Sequence, residues 1–167
     1  MEIREATYND IPELMRIFES ARAYMRKNGN MIQWVNGYPS ETLIKSEIDN
    51  KHCYICIERN KAVATFCFII GNDPTYNYIE EGNWLNEQKY AVVHRLASDG
   101  TVSNITYKCL DWCFERSNNI KIDTHQVNNK MQEILLNYGF QKCGIIYVAD
   151  GTPRVAFQNC IEAVIGK

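Results

Sequence analysis

Two strand-turn-helix units follow one another in the second half of the chain, and strands joined through a helix run parallel when they share a sheet. The first unit is Tyr90 to Ala97, a strand that passes through the turn Ser98-Asp99-Gly100 into a helix with Val102, Ile105, Cys109 and Cys113 along one stripe. The second is Ile120 to His125; Asn128 then caps a helix bearing Met131, Ile134, Leu135 and Tyr138, which Gly139 ends. A sheet with a parallel centre is expected.

Around that centre the signals are antiparallel. Cys53 to Glu58 and Ala62 to Ile70 flank Arg59-Asn60-Lys61 as a hairpin, and its second strand is apolar on both faces, as a central strand is. Cys143 to Val148 and Arg154 to Phe157 flank an Asp150-Gly151 turn, so a hairpin closes the chain. Near the N-terminus a short strand, Glu2 to Ala6, precedes Asp10 as N-cap, Pro12 in the first turn and Glu13 at N3. The helix so opened repeats Ile11, Leu14, Met15, Phe18 and Met25 and stops at Asn28-Gly29. Gln33 to Pro39 is an irregular aromatic stretch before Ser40 caps a second helix with Leu43, Ile44 and Ile48. Asn72 to Lys89 is a long polar insertion rich in aromatics, of the kind that shapes binding sites. The fold class is α/β with α+β character: a mixed, mostly antiparallel sheet with helices on its faces.

The 167 residues suffice for about one domain, and a composition 46% apolar and 23% charged is that of a globular protein. A net charge of -2 and the lack of a Lys/Arg cluster argue against nucleic acid as a partner. The longest apolar run, Ala62 to Ile70, is far short of the roughly 20 residues a bilayer crossing needs. With no apolar signal segment at the N-terminus, a cytoplasmic location is expected and no membrane partner. The seven cysteines then read as reduced small hydrophobes. Cys53 and Cys56 have CxxC spacing, but a strand points them to opposite faces, so no metal site is expected.

The element order resembles that of the GNAT superfamily of acyl-CoA-dependent N-acetyltransferases over nearly the whole chain. Gln33-Trp34, Gly37-Tyr38-Pro39, Gly82-Asn83-Trp84-Leu85, His94 to Gly100 and Asp123-Thr124-His125 together resemble one bacterial branch of it. The resemblance implies a single GNAT-like domain over 1–167 whose central parallel strands splay, with acetyl-CoA as co-substrate. In that family a glycine-rich turn with a (Q/R)xxGxG(or A) signature receives the cofactor phosphates on main-chain amides, an anion site at a helix N-terminus. The corresponding residues are Thr101 followed by Val102, Ser103, Asn104, Ile105 and Thr106, so the Arg or Gln and both glycines are missing. The resemblance also assigns main-chain groups of Leu96 and Ala97 to the pantetheine arm. Asn128 falls at a position that either contacts that arm or only caps its helix.

The family's reaction is attack of a neutral amine on the thioester carbonyl, through an oxyanion that expels a thiolate. His125, at the C-terminal end of a central strand, is the candidate base, with Asp123 two residues before it on the same strand face. His94 is the rival, although a satisfied core histidine accounts for it as well. Trp34, Tyr38 and Trp84 are candidate walls of an acceptor pocket, or loop packing. Arg95 reads as a structural ion pair or as a partner for an acid on the acceptor. The Tyr that serves the family as thiol acid is replaced by Leu135, and Tyr138 lies too far along the helix to be assumed a substitute. The expected function is transfer of acetyl to a primary amine of a small molecule or peptide. The alternatives are a non-catalytic acyl-CoA-binding module and, more weakly, a flavodoxin-like nucleotide binder. Monomer and homodimer both stay open.

Overall fold

The segments that alternate, or are apolar on both faces, form the strands expected of them. The computed structural model describes residues 1–162. In chain order the elements are β1 (Glu2–Glu5), α1 (Ile11–Lys27), α2 (Glu41–Asp49), β2 (Cys53–Glu58), β3 (Lys61–Ile70), β4 (Ala91–Ser98), α3 (Ile105–Phe114), β5 (Asn119–Thr124), α4 (Asn129–Tyr138), β6 (Gln141–Tyr147) and β7 (Pro153–Cys160). The seven strands hydrogen-bond in the order β1-β2-β3-β4-β5-β7-β6, a mixed and mostly antiparallel sheet in which β4 and β5 pair in parallel at Ala91 with Ile120 and Val92 with Lys121.

The chain condenses into two compact units, each assembled from two segments. The first comprises Met1–Phe68 and His94–Cys109. Leu14, Ile17 and Phe18 of α1, Ile44 of α2, Cys53 and Ile55 of β2 and Ala97 of β4 form its core. Each large aliphatic side chain buried there contributes about 1.5–3 kcal/mol. The second unit comprises Ile69–Val93 and the chain from Leu110 onward. Its core holds Tyr76, Val92, Ile146 and Ala156, with Ile79, Trp84, Tyr90 and Val148 packed against them.

Two local expectations need correction. The cap of α1 works one turn earlier than Asp10: Thr7 and Asp10 form a capping box around a 3-10 turn, Tyr8–Asp10, and the Asp10 side chain caps no helix bond of α1. The Asp10 carboxylate is engaged by Thr7 N (2.8 Å) and by the forked guanidinium of Arg4 (2.8 and 2.9 Å), which outcompete the helix amides. The closing hairpin is longer than expected, and β7 inserts between β5 and β6. The Asn72 to Lys89 insertion is firmly docked within the second unit, because main-chain groups far apart in sequence find partners. Glu80 and Ile145 exchange backbone bonds of 3.0 and 2.8 Å, and Leu85 N donates to Gln158 Oε1 at 2.8 Å. Glycine permits this approach: a Cβ on Gly82 would lie 1.9 Å from Cys143 O, and one on Gly144 2.5 Å from Glu80 O.

Candidate functional site

In the first unit, β4 runs through a turn into α3. Ala97 is 3% exposed and spends its methyl group in the core, so what it presents to a ligand is main chain. The turn after it is tied down by Asp99, whose Oδ1 accepts from Thr101 N (3.0 Å) and Thr101 Oγ1 (2.6 Å) and whose Oδ2 lies 3.3 Å from Arg16 Nη1. Burial works against the Asp99 charge, yet Thr101, Arg16 and Lys61 hold its pKa below the ordinary carboxylate value. Asn104, where the family signature has its first glycine, adopts the left-handed region at φ 59. Asn is the residue other than glycine that enters this region at least cost, so the turn keeps the glycine conformation without the glycine. Asn104 O accepts from Lys108 N at 3.2 Å and starts α3. The first-turn amides of a helix have no intrahelical acceptor, which makes Ile105 and Thr106 main-chain donors. Val102 is half-buried, Ser103 and Asn104 are exposed, and Ile105 and Thr106 are buried. The missing second glycine is thus a Thr turned largely inward.

The same unit holds the Gln33 to Pro39 loop. Trp34 (φ 54) packs edge-on against Phe18 with ring centres 5.7 Å apart, and Tyr38 follows at 6.5 Å. Arg26 donates to Asn30 O and Trp34 O, each at 3.0 Å, and Arg22 donates to Tyr38 O at 3.0 Å. Arg95 forms the expected ion pair, with Nη1 3.6 Å from Glu47 Oε2, and its Nε also donates to Tyr38 Oη at 3.0 Å. His94 and Leu96 on either side are half-buried. A surface groove of about 520 Å³ elsewhere in this unit is lined by Tyr8, Ile11, Pro12, Met15, Glu41 and Lys45, none of them a site candidate from sequence.

In the second unit, His125 follows directly on β5. Its carbonyl accepts from Asn128 N at 2.9 Å, which joins these two candidates, and Asn128 Oδ1 caps α4 by accepting from Met131 N at 3.1 Å. The His125 Nδ1 atom is buried without a hydrogen-bond partner, so Asp123 does not hold it there. Asp123 Oδ1 accepts instead from the buried Tyr76 hydroxyl at 2.6 Å. Burial first, and then the charge of Arg154, lowers the His125 pKa, with Asp150 opposing. Arg154 and Asp150, on the closing hairpin, escape a sequence reading because nothing local links them to β5. Trp84 donates from Nε1 to Tyr76 O at 2.8 Å, and its ring lies under the Lys121 ammonium at 4.2 Å. Leu135 is fully buried, and the Tyr138 hydroxyl donates to Asp111 Oδ1 at 2.8 Å. Burial and that bond raise the Tyr138 pKa. Cys53 stands opposite Cys67 in the β2/β3 ladder, and Cys56 Sγ lies 3.6 Å from Cys109 Sγ, so the CxxC cysteines part to different neighbours.

No protein-family model matches the sequence, and no curated protein does. Solved structures do. The crystal structure of a GNAT-family acetyltransferase from Streptococcus agalactiae 2603 matches with 32% identity and a TM-score of 0.88, covering 97% of this chain and 96% of that one. The chain belongs to the GNAT family. A GNAT-family acetyltransferase from Listeria monocytogenes 4b F2365 shares the fold at 16% identity and a TM-score of 0.67, over 96% of this chain and 94% of that one. The GphF GNAT-like decarboxylase, solved in complex with isobutyryl-CoA, shares it at 12% identity and a TM-score of 0.68, over 97% and 100%. GNAT membership supports acyl transfer as the general class of reaction.

Proposed function

We propose that this GNAT protein is a cytoplasmic N-acetyltransferase that passes acetyl from acetyl-CoA to a primary amine of a small molecule or peptide, both substrates being bound together. The observation that carries the reading is the left-handed Asn104, which keeps the form of a phosphate-binding turn at the N-terminus of α3 after the glycines are gone. The complex of a GNAT-like decarboxylase of the same fold with isobutyryl-CoA supports an acyl-CoA as the ligand. In this reading the amides of Val102 to Thr106 receive the phosphates, and the main chain of Leu96 and Ala97 serves the pantetheine arm. Trp34 and Tyr38 are the acceptor-binding candidates of the same unit; Trp84 is the second unit's acceptor candidate and Asn128 its pantetheine candidate.

Neutral His125 takes the proton that the amine sheds, with His94 as the second candidate. The amine nitrogen bonds to the carbonyl carbon, and the oxyanion is assigned to a backbone N–H beside the left-handed break in β4 at Arg95 (φ 54). Collapse breaks the carbon–sulfur bond and releases the thiolate. With a thiol pKa of about 8.5, that group leaves without a dedicated acid, in keeping with Leu135 and the engaged Tyr138 hydroxyl. The same two residues favour a second reading, an acyl-CoA-binding module that does not turn over.

Acetyl-CoA is expected to raise the melting temperature; at 100 times Kd the stabilisation is about 2.7 kcal/mol. Flavin and adenine dinucleotides are expected to give no shift. The absence of any shift with millimolar acetyl-CoA would remove both acyl-CoA readings.

A further inference from the structure

Arg95 immediately precedes the strand segment assigned to the cofactor, and its backbone is left-handed (φ 54), a conformation that L-residues other than Asn and Asp rarely adopt. What the side chain reaches from there is specific. Its Nε donates to the Tyr38 hydroxyl (3.0 Å), and Nη1 faces Glu47 Oε2 of α2 (3.6 Å), which lies 3.5 Å from His52 Nδ1. A guanidinium presents its donors in a rigid fork, so one contact fixes the direction of the other. Arg22 and Arg26 hold the carbonyls of the same loop, whereas Arg95 holds the hydroxyl of a ring that is 40% exposed beside Trp34.

We propose that Arg95 is a positioning residue for the acceptor: it fixes the Tyr38 ring, and with it the face that the Trp34 to Tyr38 loop offers to the amine. This rests on the acyl-transfer reading above. The Arg95 side chain, spent on Tyr38 and Glu47, is assigned no contact with a reacting atom. The phosphate turn is anchored separately through Asp99, Thr101 and Arg16, so losing the tether loosens the acceptor and spares the cofactor.

The test is a double-mutant cycle with Arg95→Lys, which keeps the charge but not the fork, and Tyr38→Phe, which deletes only the hydroxyl. Each single change is expected to raise the amine KM about fivefold, with kcat and the acetyl-CoA Kd held within about twofold. The double variant is expected to be no worse than either single one, since both remove the same bond. In the ligand-free protein, amides 34–38 are expected to exchange faster in all three variants. Additive KM effects, or unchanged exchange, would overturn the tether. Faster exchange with an unchanged amine KM would overturn the acceptor role alone. A wild-type protein that turns over no amine would overturn the acyl-transfer reading and the acceptor role with it, while the exchange data still report on the tether.

Discussion

At the scale of single residues, the proposed function leans most on Asn104 and His125, and each makes a testable claim. Replacing Asn104 by Ala puts a side chain without a compensating amide into the left-handed region, and stability is expected to fall by about 1 kcal/mol. Asn104→Gly is expected to stay within about 0.5 kcal/mol of the parent; denaturant unfolding of the two variants checks both. For His125 the sign follows from its surroundings. Burial and Arg154 favour the neutral ring, so the base form persists below the ordinary histidine value of about 6.5. The acidic limb of kcat/KM is expected below that pH, and Arg154→Gln is expected to move it upward. His125→Gln is expected to lower the rate about 100-fold and to abolish the limb; a pH–rate profile of the three proteins decides. Because the folded pKa is depressed, the unfolded chain takes up the proton first as pH falls. This histidine's contribution therefore lowers stability as pH drops below about 6.5, levelling off below the folded value.

At the scale of elements, what was legible from sequence is what local chemistry decides. Ser40 accepts from Leu43 N and Asn128 from Met131 N, as their positions before apolar-periodic stretches require. Strand β3, apolar on both faces, lies between β2 and β4. Partnerships set by distant residues were not legible. Asp10 was claimed by Arg4 and Thr7 instead of by its own helix, and Asp123 by Tyr76, 47 positions away. The docking of the Asn72 to Lys89 insertion belongs with these, since main-chain bonds such as Glu80 to Ile145 leave no periodic trace. Gly82 and Gly144 are the visible residue of that docking. Gly82→Ala and Gly144→Ala are each expected to cost about 1–3 kcal/mol, because the added methyl group meets a carbonyl that cannot move without breaking the bridge. Thermal unfolding should show a fall of about 2–4 °C per kcal/mol, and unaltered melting would show that the insertion is docked by other means.

At the scale of the whole molecule, the strand-turn-helix pair and the flanking hairpins specify a GNAT sheet, and the 32% identity over 97% of the chain bears the family out. The candidate site was legible in part: the turn could be located by its place after β4, but not its conformation, since Asn104 shows its left-handed backbone only in three dimensions. Arg95 and Tyr38, 57 residues apart, meet only in the folded chain. What separates an enzyme from a ligand-sensing relative is turnover. The most direct measurement is release of free thiol from acetyl-CoA across a panel of primary amines, paired with the mass of the acetylated amine. Amine-dependent thiol release, matched mole for mole by an acetylated product and lost in His125→Gln, is the expected result. Acetyl-CoA that binds and stabilises the protein yet yields no thiol with any amine would contradict it.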